Sequence, residues 1–510
     1  MIHCRHFQMR GLHMITRQEI QSIYKIVQKV YLEDEIPWVI GYSGGKDSTA
    51  TLQLVWLALS ELSEEERNHK TIHVISTDTL VESPVIAKWV EKSLDFIEIE
   101  AKKQRMPFVK HRLTPQVNDT FWVNLLGRGY PYPRVTMRWC TDRLKIKPSN
   151  KFVQDVVSAY GEAILLLGTR KAESAHRAQN MERYEQRRVR DYLSPNGSMQ
   201  NELVFSPLEN WTDDDVWYFL LQYKNPWGYS NKDLMSLYRG ASKDAECPIV
   251  MSTDVPSCGK SRFGCWMCTM VERDKSMEAM IMNDAQKEWM MPLLELRNEI
   301  GDPSKDWEYR DFRKMRGNVF PFKGRLVHGP YKKEIRERWL ERLLEVQRQI
   351  NEEGPEEFRD LELITEAELN KIRQIWLEEK HEFQDTLPGI YKKVMGRDLR
   401  LDYHFRSTYG REEWELLEQL CQEECPEETL AFELSYRLID VESRFSTMQK
   451  RKGIYNSLES EVRKCFFQNE EDATEFAMQR IKRKREMGVS YDHRAEEPEE
   501  KAEWEEGGGV

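Results

Sequence analysis

Ser43-Gly44-Gly45-Lys46-Asp47-Ser48 is the run whose residue types and spacing define a chemistry most sharply in this sequence. It follows the apolar stretch Trp38-Val39-Ile40-Gly41-Tyr42, which predicts a buried strand, and leads into a leucine-rich helical pattern from Thr49 to Leu62. A strand, a glycine turn and a helix N-terminus together make an anion site. Backbone N–H groups point outward there, the helix dipole is positive, and glycines let a phosphate come close. Lys46 adds a mobile cation. The run is not a Walker A loop, which needs Gly where Ile40 stands and Ser or Thr where Asp47 stands. A glycine turn with a surface lysine is the bland reading, and the flanking strand and helix argue against it.

Four further groups carry reactive or anion-binding side chains. Arg138-Trp139-Cys140-Thr141 is followed by Lys145 and Pro148. Gly168-Thr169-Arg170 precedes Glu173, Ser174 and Arg177. Pro207-Leu208 leads into Trp211-Thr212 and Asp215-Val216-Trp217, and Gly264-Cys265-Trp266-Met267-Cys268-Thr269 comes last. Arg170 and Arg177 suit phosphate because a guanidinium grips it bidentately. Glu173 reads as a group that orients these arginines rather than as a base. Singly each group is weak: a Thr-Arg pair is usually a solvated loop, and Trp211 before an N-cap-like Thr212 is usually core packing.

The elements that must position these residues read as an α/β pattern. A helix is predicted from about 15 to 33. A second strand, Ile72-His73-Val74-Ile75-Ser76, ends at Thr77-Asp78-Thr79, and Ser83-Pro84 opens a helix reaching about Arg105. A third core strand, Ala163-Ile164-Leu165-Leu166-Leu167, ends at Gly168. Continuous apolar runs of this kind are parallel strands buried on both faces. Ligands of such sheets sit at the carboxyl ends of the strands, where the glycine loop, Asp78 and Gly168 would converge. Past about Thr269 the sequence turns rich in Glu, Lys, Arg and Trp. Segments such as Tyr331 to Glu353 and Gly410 to Cys421 read as amphipathic helices, with breaks at Gly354-Pro355 and from Asp385 to Gly389. The expected organisation is an N-terminal helix over 1–36, an α/β domain over 37–275, a helical domain over 276–495 and an acidic, disordered tail over 496–510.

The bulk properties fit a cytoplasmic enzyme. The 510 residues have room for two or three domains, 32% of them are charged, and the formal net charge is −11. That balance argues against a protein that coats nucleic acid by itself. Lys482-Arg483-Lys484-Arg485 is a local phosphate contact or, more simply, a solvated helix face. No apolar window is long enough for a membrane span, and Met1 to Met14 lacks the apolar core of a signal peptide. Nine cysteines are too sparse for a disulfide scaffold, and their clustering suggests metal or redox chemistry in a reducing compartment.

The glycine run resembles the PP-loop of the ATP pyrophosphatases, which split ATP into AMP and pyrophosphate. With the other motifs in this order, the segment from about Pro37 to Met270 resembles the 3′-phosphoadenylylsulfate reductase family of adenine-nucleotide α-hydrolases. The resemblance implies a twisted parallel sheet with a nucleotide across its strand ends. It implies that Ser43, Gly44, Gly45, Lys46, Asp47 and Ser48 hold the β- and γ-phosphates. Asp78 would meet the ribose or adenine, Gly168 and Arg177 would line the nucleotide, and Arg138, Lys145 and Arg170 would meet the anionic substrate. Two departures stand out. The sequence given ends in Glu-Glu-Gly-Gly-Gly-Val, not the cysteine-bearing tail of the reductases, and it has a long helical half that they lack. Both point to the sulfur-transfer branch of the bacterial DNA phosphorothioation systems, in which sulfur replaces a non-bridging backbone oxygen.

Cys247, Cys258, Cys265 and Cys268 fall within one short window. The pair Cys265 and Cys268 can bind one metal with both thiolates, and four thiolates suit an iron–sulfur cluster or structural zinc. In the related adenylylsulfate reductases a [4Fe–4S] cluster sits on a Cys-Cys pair plus a later Cys-x-x-Cys. Trp139-Cys140 occupies the place of that pair, so one ligand must come from elsewhere. The resemblance favours Cys140, Cys258, Cys265 and Cys268 as ligands, leaving Cys247 to carry a persulfide; Cys247 and Cys258 could exchange roles. Lys260 and Arg262 would favour a thiolate nearby. Cys421, Cys425 and Cys465 read as structural.

The reaction implied is ATP-dependent sulfur transfer, with AMP and pyrophosphate as products. Lys46 and Mg²⁺ would stabilise the leaving pyrophosphate. A cysteine desulfurase would supply sulfur, and other phosphorothioation proteins would help to hold the DNA. The rival readings are a reductase of adenylylsulfate or its 3′-phosphate, a tRNA thiolation enzyme, and a nucleotide-gated assembly subunit that binds ATP without turning it over.

Overall fold

A computed structural model describes residues 14–135, 137–197, 199–241, 264–322, 324–402, 409–428 and 430–487. The chain divides into two compact units. The first takes in residues up to 115, 141–268 and 273–294; the second takes in 116–140, 269–272 and the chain from 295 onward.

The first unit is built on a six-stranded sheet. Its strands are β1 (Trp38–Gly41), β2 (Ile72–Thr77), β3 (Phe108–Leu113), β4 (Ala163–Leu166), β5 (Ser194–Pro195) and β6 (Glu202–Phe205). Their order across the sheet is β3-β2-β1-β4-β6-β5, and every pairing is parallel except β5 with β6. Trp38 is in register with Ile72 on one side and Ile164 on the other, so the three strands read as apolar runs lie together at the centre. The run at Ala163 is therefore the fourth strand in the chain. β3 was hidden because its sequence, Phe-Val-Lys-His-Arg-Leu, is interrupted by three consecutive polar residues and is half exposed. Pro195 sits on the edge strand, where a missing N–H costs no ladder bond.

Helices cover the two faces unequally. The helices α1 (Arg17–Leu32), α2 (Lys46–Ser60), α3 (Pro84–Gln104), α4 (Lys147–Tyr160), α5 (Ala175–Glu185), α6 (Asp213–Gln222) and α7 (Asn231–Gly240) belong to this unit. Val27 of α1, Leu52, Val55 and Trp56 of α2, Ile97 of α3 and Val216 and Phe219 of α6 pack on Ile40, Val74, Ile164 and Leu166 in one large core. On the opposite face α4 places Val153 and Val156 against Val39, Ile75 and Ala163. Thr16 and Thr212 cap α1 and α6 through reciprocal bonds with Glu19 and Asp215, which fixes where those helices begin. Ser83 precedes α3 with Pro84 in its first turn, as the Ser-Pro pair predicts.

The second unit is mainly helical: α8 (Lys333–Glu353), α9 (Glu366–Glu378), α10 (Thr386–Met395), α11 (Arg411–Glu424), α12 (Ala431–Ser446), α13 (Ile454–Lys464) and α14 (Glu470–Glu486), with a hairpin of β7 (Pro321–Phe322) and β8 (Arg325–Leu326). The expected break from Asp385 to Gly389 is displaced. α10 already runs through Gly389, and the break between α9 and α10 lies before it, ending at Asp385 with a left-handed φ of 47°. Segment 116–140 packs within this unit. Trp122 donates its indole N–H to Leu363 O at 2.7 Å, and Trp376 of α9 donates to Leu126 O at 2.8 Å. No described helix is long and apolar enough to cross a membrane.

Candidate active site

Gly44 turns the chain out of β1 with φ 70°, a left-handed conformation that glycine adopts without strain. Gly45 is the N-cap of α2, so the N–H groups with no partner inside the helix are those of Lys46, Asp47 and Ser48. Ser48 Oγ ties the turn together: it accepts from Ser43 N at 3.2 Å and donates to Gly45 O at 3.1 Å. Trp89 donates its indole N–H to Gly44 O at 3.2 Å, and Tyr238 Oη accepts from Lys46 N at the same distance. The loop is a built cradle at a helix N-terminus, not a loose surface turn.

Two cations and two carboxylates interlock behind it. Lys46 Nζ lies 3.1 Å from Asp47 Oδ2 and 3.3 Å from Asp213 Oδ1. Arg170 donates Nε–H to Asp47 Oδ1 at 2.9 Å, a second N–H to Asp213 Oδ1 and a third to Trp211 O. Arg170 is 1% exposed, and Lys46 is 8% exposed. Burial works against the charge on both, but Asp47 and Asp213 outweigh it and raise the pKa of each. Burial likewise opposes the charge on Asp213, and Lys46 and Arg170 override it and lower its pKa. Burial raises the pKa of the Tyr238 phenol, so it stays protonated. The four formal charges cancel, so an arriving polyphosphate competes with Asp47 and Asp213 for the lysine.

Gly168 makes this geometry reachable. A Cβ there would sit 2.8 Å from both Asp47 O and Thr51 Oγ1, so only glycine lets the end of β4 approach the first turn of α2. Gly168→Ala is expected to push that turn outward and weaken ATP binding at least tenfold while the unit stays folded. Equilibrium binding of a fluorescent ATP analogue measures it, and wild-type affinity would contradict the packing argument.

The remaining expected residues fall in distinct places. Asp78 follows β2, where its carboxylate accepts from Leu80 N at 2.8 Å and pairs with Arg112. Glu173 accepts from the backbone N–H of Arg170 at 2.9 Å and pairs with the guanidinium of Arg177, whereas the guanidinium of Arg170 is held by Asp47 and Asp213. Lys145 is half exposed, with Nζ 3.5 Å from Glu82 Oε1. Arg138 lies in the second unit and donates to Val135 O at 3.2 Å. Cys265 and Cys268 share one turn, with Cys268 N donating to Cys265 O at 3.0 Å. Cys265 Sγ is 3.3 Å from Thr79 Oγ1 and 3.8 Å from Glu82 Oε1. Cys140 belongs to the second unit. Cys247, Cys258, Lys260 and Arg262 lie outside the described residues, and among those described no three His, Cys, Asp or Glu side chains gather as metal ligands. Two thiols on one turn fit half of a four-thiolate set. Cys465 is buried, which pushes its thiol up to about 11 and suits a structural role.

Asp213 and Tyr238 were not singled out from sequence. Asp213 was next to the noted Trp211-Thr212 pair, and an acidic residue in a first helical turn reads as dipole complementation. Tyr238 gives no signal at all, since it reaches the loop from 192 residues further along the chain.

Residues 37–271 match the family model of the phosphoadenosine phosphosulfate reductase domain. The segment that matches contains the mostly parallel six-stranded sheet and the glycine loop, and is similar to that reductase domain. An uncharacterized protein of Methanocaldococcus jannaschii is 25% identical over 246 residues, which cover 48% of this chain and 39% of that protein. The chain thus spans about two-fifths of the length of the curated relative it matches. Similar solved structures include phosphoadenylyl-sulfate reductase from Candida auris in a phosphate complex, at 12% identity, with 42% of this chain and 89% of that one covered and a TM-score of 0.24. Another is the U34-tRNA thiolase NcsA of Methanococcus maripaludis with its [4Fe–4S] cluster, at 11% identity, with 56% and 80% covered and a TM-score of 0.27.

Proposed function

We propose that this protein is a cytoplasmic sulfurtransferase of DNA phosphorothioation, of the DndC type. It spends ATP to activate a backbone phosphate, whose non-bridging oxygen sulfur then replaces. The observation that carries this reading is the loop at the N-terminus of α2, with Lys46 and Asp47 held by Arg170 and Asp213. Such a cradle holds the β- and γ-phosphates and leaves the α-phosphate open to attack. An oxygen of the DNA phosphate attacks there, the bond to the pyrophosphate oxygen breaks, and pyrophosphate leaves with the electron pair. The oxygen is now part of an AMP group, which is a competent leaving group, whereas the original oxygen was not. Lys46 transfers its charge from the carboxylates to the departing pyrophosphate. Asp47, released by Lys46 and still paired with Arg170, would be a carboxylate ligand for a Mg²⁺ ion that accompanies ATP. A cysteine desulfurase supplies the sulfur as a persulfide, whose terminal sulfur attacks phosphorus as AMP leaves; a second thiol then attacks the inner sulfur of the P–S–S bond, leaving sulfur on phosphorus and the two thiols as a disulfide. Partner proteins of the same system share the DNA.

The cysteines of residues 140–268 are proposed to hold a [4Fe–4S] cluster, with Cys265 and Cys268 as one half of its ligand set and Cys140 with Cys258 or Cys247 as the other. Such a cluster would supply a site for binding or reducing sulfur. The family match favours one second reading, reduction of adenylylsulfate or its 3′-phosphate. Two measurements separate them. The purified protein should convert ATP to AMP and pyrophosphate, not ADP and phosphate, and loss of the gene should remove radiolabelled sulfur from the DNA backbone. ADP as product, or unchanged backbone sulfur together with rescue of a sulfate-reduction auxotroph, would replace this reading by the reductase.

A further inference from the structure

On one face of the sheet α4 packs against β1, β2 and β4, and a recess opens beside β6. There Leu167 and Val204, both half-buried, form the floor of a cavity of about 650 Å³, with α5 and the β5 segment as its walls. That volume is in the range of small-ligand sites.

The lining has a definite chemistry. Its cations are already matched: Arg188 bonds both carboxylate oxygens of Glu209, at 3.2 and 3.1 Å, and Arg177 pairs with Glu173. What the walls offer a ligand is two phenol rings, Tyr184 and Tyr192, and side-chain amides such as Asn180. Aromatic faces with amides beside them, over an apolar floor, suit a planar heterocycle with donors and acceptors on its edge. Tyr192 is held with φ 65°, left-handed for an aromatic residue, a conformation that persists only where the surroundings enforce it and that clusters at ligand clamps.

The cavity adjoins the phosphate loop. Thr169 lines it, and the next residue is Arg170, whose Nε–H holds Asp47. Glu173 ties the backbone of Arg170 to Arg177 on the cavity wall. A phosphate activated at the loop would have its nucleoside within reach of this space.

We propose that this cavity is a nucleoside site that holds an extruded base of the DNA strand next to the phosphate being activated. It rests on the DNA reading above. Extrusion costs least in single strands, so the probe is a single-stranded oligodeoxynucleotide carrying 2-aminopurine, titrated with the full-length protein. The wild type should quench the aminopurine by stacking. Tyr184→Ala should weaken binding about tenfold, within the usual worth of a base on an aromatic ring. Gly197→Ala is a second variant that keeps the tyrosine in the sequence: its Cβ would collide with Tyr184 Oη and displace the ring from its position on the cavity wall. It should weaken the oligonucleotide similarly, while both variants bind ATP like the wild type. Wild-type oligonucleotide binding by both would overturn the site. Displacement by equimolar deoxyadenosine monophosphate would reassign it to a free nucleotide and overturn the strand. If DNA lacks backbone sulfur but the Tyr184 dependence holds, the nucleoside site stands and the phosphorothioation reading falls.

Discussion

Lys46→Ala is expected to reduce the release of AMP and pyrophosphate by at least a hundredfold. The loss follows from the position of Nζ at the N-terminus of α2, 3.1 Å from Asp47 and 3.3 Å from Asp213. A single preorganised group that stabilises developing charge in such a site is worth about 10²–10³ in rate. The fold should survive, because Arg170 still pairs with both carboxylates after the lysine is gone, and the one unbalanced charge is about a third exposed to water. Lys46→Arg should recover little: the guanidinium is bulkier and the lysine is buried beneath the Tyr238 ring, 5.9 Å from its centroid. Pyrophosphate release coupled to a colour assay measures the rate, and circular dichroism checks the fold. Wild-type turnover in the alanine variant would remove Lys46 from the chemistry and leave the loop as a binding element alone.

Arg170→Ala should act on stability as well as activity. It removes the one buried cation that spans Asp47, Asp213 and Trp211 O. Breaking a buried ion pair costs about 3–5 kcal/mol when the partner stays buried. The two carboxylates here are about a third exposed, so solvent reduces the penalty and a value of about 2–3 kcal/mol is expected. Asp213→Asn in the same chain should return part of that loss, since no uncompensated charge is then left at that position. The pH dependence has a definite sign. Asp213 titrates below its ordinary 3.8 in the folded protein, so its contribution is present above that value and is lost as pH falls through the lower, folded value. Arg170→Ala should blunt this acid sensitivity. Urea unfolding at neutral and acid pH tests both statements, and an unchanged midpoint in the variant would show the network to be ornamental.

The substrate loop was legible because its physics is local. A glycine turn between an apolar run and a helical pattern is written in consecutive residues, and the structure places Gly44, Gly45 and α2 where that pattern requires. β2 and α3 were legible for the same reason, and their ends agree to within a residue. The edges of the sheet were not. β3 carries Lys110, His111 and Arg112 on a half-exposed edge, and β6 opens on the charged Glu202, so neither shows the continuous apolar run of a buried strand. Asp385 to Gly389 misled because Pro388 and Gly389 were read as breakers, whereas proline is tolerated in the first turn of α10.

What the sequence by itself determined was the anion cradle, the parallel α/β core that presents it and the helical character of the later half. Each of these depends on residue type and short-range spacing: φ freedom at Gly44, a dipole at the start of α2, apolar runs for strands buried on both faces. Only the tertiary structure decided which charges face the cradle. Asp213 and Tyr238 arrive from α6 and α7, more than 160 residues beyond the loop, and Gly168 matters because a Cβ there would meet Asp47 O. Pairing between such distant residues is set by how helices pack on the sheet, and no spacing in the sequence encodes it. The same holds for the cavity beside β6. It is enclosed by α5 and the β5 segment standing beside β6, a fact of packing that Leu167, Val204 and Tyr184 do not announce one by one.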